Sequence, residues 1–491
     1  MNKISKKQFF EGAFWKIIET VAAKGVSFIV SLVLARLLTP GDYGIIAITT
    51  TFTSLSDVLI DGGFSTTLIR KKEVDKLDFN CVFLSSFSIA IVLYALMFFG
   101  APFVVSYYKE PLLKDVLRIV GLMLFMQAFS ATRTALIHRE MRFKLLFYCN
   151  MIGSIISGVA GIIAAEVGLG VWALVIQQLS QQAIVTILLL VKLHWKFEWK
   201  FDIKRFKEIF KFSIGVMGGS LLSYAGSSIY NLVIGKKYSV TDLGYSDKGG
   251  QLPMQVSLYT FSAMSSVLLP TLSSYQDEKE IFKKIMRKVT SMTAFIVFPL
   301  MLGMAVTANE TIVLLLTEKW LPAVKIMQYA CLYYLATPFL LINVQAFYAL
   351  GHGFLRIKTE IIRLCLLISG LLIFSFGLHC TISQLALVNA VIAVIMSLVT
   401  FWEVRKISSY KICEMIKDII KPCLCSFVMA ALVYMLNRTL LNAKVDNEFT
   451  RLLICVGAGA VVYVVLSICC HSEGYLEVKK LLESRRKTTH E

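Results

Sequence analysis

The chain has 491 residues, of which 57% are hydrophobic and 17% are charged, and its mean hydropathy is +0.70. A soluble protein of this composition would expose far too much apolar surface, so we predict an all-α polytopic membrane protein. The net charge of +18 is spread among short loops between apolar runs. A nucleic-acid binder needs its bases on one exposed face, so we expect no nucleic-acid partner and interpret the bases as signals of orientation in the bilayer.

Apolar runs of about 20 residues predict about 14 transmembrane helices. In chain order they are 14–38, 44–68, 79–106, 115–137, 145–166, 170–192, 209–235, 243–272, 288–316, 322–350, 357–378, 381–402, 416–437 and 450–470. With this count most Lys and Arg fall in the loops on one side, which identifies that side as cytoplasmic. We therefore expect a multi-pass protein of the cytoplasmic (inner) membrane with both termini cytoplasmic.

A turn pattern occurs twice, as LARLLTPGDYG in residues 34–44 and as IGKKYSVTDLG in residues 234–244. The equivalent positions are Arg36 and Lys236, Asp42 and Asp242, and Gly44 and Gly244. Six helices separate the copies, and an even number predicts a parallel repeat related by an axis along the membrane normal. We expect an N-lobe of helices 1–6 in 1–200, a C-lobe of helices 7–12 in 201–410, and helices 13–14 with a basic cytoplasmic tail in 411–491.

Two opposite charges lie deep in the first two predicted helices. Lys24 is about 15 Å into the first helix at ~1.5 Å per residue, and Asp57 lies at a similar depth in the second. One interpretation is a fixed ion pair that joins the helices. The other is that Lys24 faces a cavity and holds an anion, while Asp57 tunes its charge or takes a coupling proton. The sequence leaves both open.

Six further bases lie inside predicted helices, closer to one surface. They are Arg36, Arg118 and Lys248 near the outer side, and Lys16, Arg133 and Arg363 near the inner side. Snorkelling to the interface explains each one separately. As a set, the bases of the first half predict a cationic vestibule suited to phosphate or diphosphate, if they face inward.

Asp61 lies near the inner end of the second predicted helix and shares a helical face with Asp57, four residues earlier. It is a second candidate for an ion pair or for ion coupling. We interpret it as an interfacial carboxylate that answers the bases Arg70, Lys71 and Lys72.

Motifs for enzymatic chemistry are missing from the sequence. There is no Walker loop, HExxH or GxSxG. The eleven cysteines lie mostly in apolar runs without the spacing of a metal site, and we interpret them as small buried hydrophobes. We expect no catalytic residue, cofactor or metal, and predict a transporter rather than an enzyme.

Five stretches together carry a family resemblance. They are residues 34–44, GFSTTLI at 63–69, GLGVWALV at 168–175, LGY at 243–245 continuing to LPTLS at 269–273, and WLP at 320–322. As a set they resemble the Wzx-type oligosaccharide flippases, the polysaccharide-exporter branch of the multidrug/oligosaccharidyl-lipid/polysaccharide (MOP) superfamily.

The resemblance implies two six-helix lobes around a cavity that opens alternately to either side, with the last two helices offering a groove for a lipid tail. It implies flipping of a polyprenyl-diphosphate-linked oligosaccharide from the inner to the outer leaflet, for capsule, exopolysaccharide or O-antigen biosynthesis. The implied partners are the bilayer, a polysaccharide polymerase and other assembly proteins. Lys24, Arg36 and Arg133 match, by type and rough placement, the bases that hold the diphosphate in such flippases.

Two rival functions remain. A cation-coupled drug exporter of the same superfamily would need a cavity dominated by carboxylates, whereas bases dominate the first half of this chain. A membrane polysaccharide polymerase, ligase or glycosyltransferase would ordinarily show an extended outer loop with candidate catalytic residues, and the longest predicted outer loop, 438–451, is a short connector.

Overall fold

The computed structural model describes residues 15, 22, 25–71, 74–193, 201–408, 410–442, 447–470 and 474–475. These residues form helices joined by short turns, and they contain no strand. The helices are α1 (Gly25–Leu37), α2 (Pro40–Asp61), α3 (Phe64–Arg70), α4 (Lys76–Tyr108), α5 (Leu112–Val120), α6 (Met123–Arg139), α7 (Phe143–Glu166), α8 (Val171–Lys192), α9 (Ile203–Lys237), α10 (Val240–Ser274), α11 (Lys279–Val306), α12 (Ala308–Leu316), α13 (Ala323–Ala349), α14 (Gly353–Gly370), α15 (Ile382–Ile407), α16 (Ile412–Asn442) and α17 (Glu448–Cys469). A 3₁₀ turn, Glu318–Trp320, precedes α13, and α14 continues as a π-helical segment, Leu371–Gly377.

The fourteen predicted runs correspond to seventeen helices in the described part of the chain, because three runs are each broken into two helices. The pairs are α2 with α3, α5 with α6, and α11 with α12. The first break has a clear cause, since Gly62 and Gly63 adopt φ values of 52° and 70°, a left-handed conformation that glycine accepts without a steric penalty. The prediction of an all-α membrane protein with about fourteen helical runs is confirmed.

Ten of the described helices are long and apolar enough to cross a membrane. They are α2, α4, α7, α8, α11, α13, α14 with its π-helical segment, α15, α16 and α17. The helices α9 and α10 have 35 residues each, which is ample length, but their sequences contain many Gly, Ser and charged residues. Long helices with a polar surface are typical of those that line a water-filled cavity.

The chain divides into two compact units, Met1–Gly244 and Tyr245–Glu491. In the first unit α2, α4 and α6 pack together through Ile60, Ala90, Leu124 and Ala128. A second cluster joins the short helix α3 to α4, α6 and α9. The lobes predicted from the repeat, 1–200, 201–410 and 411–491, stay a prediction.

The second unit has its core where α10, α11, α13, α15 and α16 meet, and the large side chains of Phe282, Phe347 and Phe401 fill it. A smaller apolar cluster joins α16 to α17. The hydroxyl of Tyr463 on α17 also donates to the carbonyl of Phe295 on α11, at 2.8 Å. The last two helices are therefore integrated into the second unit.

Ion pairs fasten the first turns of α16 to α11. Arg287 donates through Nε to both carboxylate oxygens of Asp418, at 3.1 and 3.0 Å, and the hydroxyl of Tyr410 donates to the same carboxylate at 2.8 Å. Lys283 and Glu414 form a second pair at 2.7 Å. The Asp418 carboxylate is fully buried, so this charge depends on its partners for compensation.

Candidate functional site

Both copies of the repeated turn form a helix cap. At the start of α2 the backbone N–H and the hydroxyl of Thr39 donate to the Asp42 carboxylate, at 2.9 and 2.6 Å, and the Asp42 N–H donates back at 3.3 Å. At the start of α10 the Ser239 hydroxyl donates to Asp242 at 2.8 Å, and the Asp242 N–H donates back at 2.9 Å. The repeated Asp thus satisfies backbone groups at a helix N-terminus.

The repeated glycines lie where the two helix starts contact each other. A Cβ on Gly44 would be 1.7 Å from the carbonyl oxygen of Val240, and a Cβ on Gly244 would be 1.9 Å from the carbonyl oxygen of Pro40. All four residues belong to the first unit. The contact is reciprocal. Position 40 is equivalent to 240 in the repeat and position 44 to 244, and each glycine contacts the first residue of the other helix. Glycine is required at both positions because any side chain would overlap main-chain atoms.

Two bases, Arg118 on α5 and Lys236 on α9, lie over aromatic rings of α4. The Arg118 guanidinium lies 4.1 Å from the centre of the Phe98 ring, and its Nε donates to the Phe98 carbonyl at 3.3 Å. Lys236 lies 4.1 Å from the centre of the Tyr107 ring and also donates to the Tyr107 carbonyl. Both therefore anchor a neighbouring helix to α4. Arg36, the repeat equivalent of Lys236, is exposed.

Arg133 is buried inside the first unit, on α6. Its Nη1 donates to the carbonyl of Phe129, one turn earlier on the same helix, at 2.7 Å. It lies six residues before the end of α6, about 9 Å at 1.5 Å per residue. A carbonyl is a neutral acceptor, so this hydrogen bond does not neutralise the charge of Arg133.

Several buried polar atoms on α2, α4 and α6 have no hydrogen-bond partner within the described part of the chain. They are Asp57 Oδ1 on α2, Asn80 Oδ1 and Nδ2 on α4, and Gln127 Oε1 and Thr132 Oγ1 on α6. The Gln127 side chain hydrogen-bonds the Asp57 carboxyl group. Buried polar atoms normally have partners, so such atoms are places for water or a ligand.

Asp61, at the end of α2, accepts a hydrogen bond from the Ser65 hydroxyl, and it lies close enough to Asp57 to act on it electrostatically. Lys71, one of the bases expected to answer Asp61, instead pairs with Asp78 at 2.8 Å. Arg139 donates to the carbonyls of Leu68 and Lys71, where α3 ends. These contacts hold the end of α3 to α4 and α6.

Lys248 belongs to the second unit, on α10, where it is buried and donates to Gln251 Oε1 at 2.8 Å. Lys16 and Lys24 lie outside the described residues. The pairing of Lys24 with Asp57 therefore stays a prediction.

The first unit brings together two of the predicted site residues, Asp57 and Asp61, on α2, and holds Arg133 on α6, which packs against α2. Reasoning from charges alone missed Asn80, Gln127 and Thr132. A search for amide and hydroxyl side chains within apolar runs would have found them.

Comparisons with known proteins agree on the kind of molecule. Residues 33–325 match the family model described as "Polysaccharide biosynthesis protein". The teichuronic acid biosynthesis protein TuaB of Bacillus subtilis (strain 168) is 22% identical over 98% of this chain and 99% of its own length.

Two solved structures have a similar fold. A structure described as lipid II flippase MurJ in an inward closed conformation has a TM-score of 0.74 at 19% identity, covering 93% of this chain and 98% of its own. An inward-facing multidrug resistance MATE family transporter of the MOP superfamily has a TM-score of 0.62 at 14% identity, covering 77% and 94%. The fold is therefore that of MOP superfamily transporters. The motif resemblance found in the sequence is confirmed by these matches. Because the family model spans more than half of the chain, this chain belongs to the polysaccharide biosynthesis protein family.

Proposed function

We propose that this chain is a flippase that moves a polyprenyl-diphosphate-linked oligosaccharide from the inner to the outer leaflet of the cytoplasmic membrane by alternating access. The exported unit would serve capsule, exopolysaccharide or O-antigen biosynthesis. The observation that carries the proposal is the family match together with a likeness, over nearly the whole chain, to a structure described as a lipid II flippase.

The side chains inside the first unit favour the proposal that the substrate is anionic. Arg133 is buried on α6 and bonds a neutral carbonyl. Beside it on α6, and on the adjoining helices α2 and α4, lie polar atoms without partners among the described residues. A guanidinium offers several donors in a fixed plane and is well suited to phosphate. Arg133, with Lys24 and Lys16, would hold the diphosphate, while hydroxyl and amide groups would contact sugars.

Other predicted site residues would have supporting roles. Lys248 and the polar surface of α10 would line the sugar pathway in the second unit. Arg36 and Arg118 would act near the exit, where Arg118 already stacks on Phe98. Asp57, with Asp61 nearby, would take a coupling proton, because its buried Oδ1 has no hydrogen-bond partner among the described residues and so has room for one.

The chain would act before other proteins of polysaccharide assembly. A polysaccharide polymerase and other assembly proteins would take the flipped unit in the outer leaflet. With the basic loops on the inside, both termini would face the cytoplasm.

The test is to delete the gene and measure lipid-linked oligosaccharide on each leaflet with an impermeant sugar-oxidising reagent. We expect the intermediate to accumulate on the inner leaflet and surface polysaccharide to fall, with recovery on re-expression. Arg133→Met should fail to restore export at a normal protein level. Arg142→Met is the matched control, because this nearby arginine is exposed and pairs with Glu140 at 3.3 Å.

Two outcomes would overturn the proposal. Intermediates that remain evenly distributed after deletion would exclude a flippase. Normal polysaccharide together with a new sensitivity to cationic drugs would identify a drug exporter of the same fold.

A further inference from the structure

We propose that the first turns of α9 form a binding surface for the phosphate headgroups of anionic phospholipids. Three lysines supply the charge, and we call them the lysine face of α9: Lys204, Lys207 and Lys211. The surface belongs to the first unit. The inference goes beyond the proposed function and does not depend on it, because it concerns the lipid around the chain and not the molecule that the chain moves.

The length of α9 places these turns at the headgroups. The helix has 35 residues, which is about 52 Å at 1.5 Å per residue. Residues 212–234 contain no charged side chain and cover about 34 Å, enough for a hydrocarbon core of ~30 Å. Residues 203–211, which precede this uncharged stretch, therefore extend out of the hydrocarbon and into the headgroup layer.

One side of residues 203–211 is packed against the rest of the first unit. Ile209 is buried in the cluster that contains Phe64 and Leu68 of α3. On the same side of the helix, Arg205 pairs with Asp75 at 2.9 Å. These contacts fix which side of α9 faces outward.

The outward side combines an exposed apolar stripe with exposed lysines. At 100° per residue, Ile203, Phe210 and Ile214 lie within about 40° of one another, and all three are exposed. The lysine face is also exposed and lies beside this stripe, within a sector of about 60°. An apolar stripe bordered by lysines is the pattern of helices that lie at a membrane interface.

The lysine face has little carboxylate around it. Within the described part of the chain its three lysines form no ion pair, whereas Arg205 is paired. Glu208 is the single carboxylate among residues 203–211. A lysine close to an anionic membrane surface contributes about 1 kcal/mol of attraction, so the three lysines together favour an anionic lipid.

The basic start of α11 shows the contrast. Lys279 lies between Glu278 and Glu280 in the sequence. Lys283 pairs with Glu414 at 2.7 Å. Exposed lysines therefore occur on both helices, but those of α11 have acidic residues beside them. We expect no preference for anionic lipid at the start of α11.

A phospholipid fits both parts of the surface. Its phosphate would meet the ammonium groups, while its glycerol and acyl chains would contact the apolar stripe and the alkyl stems of the lysines. A free phosphate ion has no part that could cover the apolar stripe. The loop charges predict that α9 begins at the cytoplasmic leaflet, where anionic lipids produce a negative surface potential.

The test uses the full-length protein in nanodiscs made of phosphatidylcholine with a minority of phosphatidylglycerol. The photoreactive residue p-benzoylphenylalanine replaces Phe210, and mass spectrometry identifies the lipids that crosslink to it. We expect phosphatidylglycerol to be enriched at least about threefold over its share of the bilayer, given about 1 kcal/mol for each lysine. The same residue in place of Ile281, an exposed position on α11, is the matched control and should crosslink lipids in their bulk proportions.

The combined variant Lys204→Gln, Lys207→Gln and Lys211→Gln should lose the enrichment at position 210. Its melting temperature should be unchanged, because these side chains are exposed. Arginine at the same three positions should keep the enrichment, because the charge is retained.

Three results would overturn the inference. The first is crosslinking in bulk proportions by the unaltered lysine face, and the second is enrichment that persists in the glutamine variant. The third is loss of enrichment when inorganic phosphate is added at constant ionic strength, which would assign the lysines to a free phosphate. None of these readouts involves transport, so the proposed function can fail without affecting them.

Discussion

Three arginines in each unit are held by different kinds of contact. In the first unit Arg118, Arg133 and Arg139 each donate to a main-chain carbonyl. In the second unit three arginines pair with buried carboxylates. These pairs are Arg287 with Asp418, Arg363 with Glu360, and Arg451 with Glu310. A carbonyl orients a guanidinium and leaves its charge intact, whereas a carboxylate neutralises it.

The kind of partner indicates whether a base is more important for binding an anion or for stability. A carbonyl contact leaves a guanidinium attractive to an anion, and breaking that contact uncovers no opposite charge. A base held by a buried carboxylate is part of a pair, and its removal leaves that carboxylate uncompensated. We therefore expect replacement of these arginines to change transport in the first unit and to change stability first in the second unit. The Glu360 group is the exception, because it has two bases, Arg363 and Arg356.

The largest effect is expected at Glu310. Its carboxylate accepts from Asn437 at 3.0 Å and pairs with Arg451 at 3.2 Å, and the two charged side chains are 3% and 6% exposed. Glu310→Ala removes the buried carboxylate that pairs with Arg451, and we expect it to lower the free energy of unfolding by about 3–5 kcal/mol, measured by chemical denaturation in detergent. The double variant Glu310→Leu with Arg451→Leu should cost clearly less, and a larger cost would contradict the assignment.

At the repeated turn the two halves of the chain should behave alike. Gly44→Ala and Gly244→Ala each place a methyl group against a main-chain carbonyl oxygen. We expect each to destabilise the protein by about 1–3 kcal/mol, the usual range for overpacking, and by similar amounts. Gly41→Ala is the control in the same helix turn, because its Cβ would be 3.6 Å from the nearest atom. A Gly44→Ala protein as stable as Gly41→Ala would show that this contact is not formed.

The caps should also respond in parallel. Thr39→Ala and Ser239→Ala each remove a hydroxyl that is bonded to the Asp of the capping box. We expect each to lower the melting temperature by an amount equivalent to about 1 kcal/mol. Thr39→Ser keeps the hydroxyl and should be close to neutral. Unequal losses at the two positions would weaken the equivalence of the two turns.

The smallest effect on stability is expected at Arg133, although its effect on transport should be large. Arg133→Met removes a buried charge that costs free energy to desolvate, and it removes the hydrogen bond to the carbonyl of Phe129. These contributions oppose each other, so the change in unfolding free energy should stay below about 1 kcal/mol, while polysaccharide export is lost. A strongly destabilised variant would mean that Arg133 is structural, and the contrast between the units would be lost.

The sequence predicted much of the fold, because spanning length and hydrophobicity are properties of single segments. The fourteen runs correspond to the helices found, but the breaks inside three runs were not predicted. For the break at Gly62 and Gly63 the reason is that glycine also occurs often inside continuous transmembrane helices. The repeated Asp and Gly were recognised as equivalent. Their structural roles were not predicted, because helix capping and close helix packing depend on which residues lie nearby in space.

The candidate site was harder to predict. Counting charges located Arg133 and Arg363, but it did not reveal that one bonds a carbonyl and the other shares a carboxylate with Arg356. Side-chain partners three or four residues away can be found from spacing, so Glu360 could have been recognised beside Arg363. Partners on other helices, such as Asn437 for Glu310, depend on packing that no local pattern encodes.

The reciprocal contact at the repeated turn also bears on how such a chain could arise. Position 40 touches 244 and position 240 touches 44, which is the rule for an isologous interface between two identical subunits. An ancestral half-length chain carrying one such glycine could have formed this contact with a second copy of itself. Fusion of the two genes would then have turned an intersubunit contact into an internal one. Thereafter each glycine could change separately, yet each still depends on the main chain of the other copy.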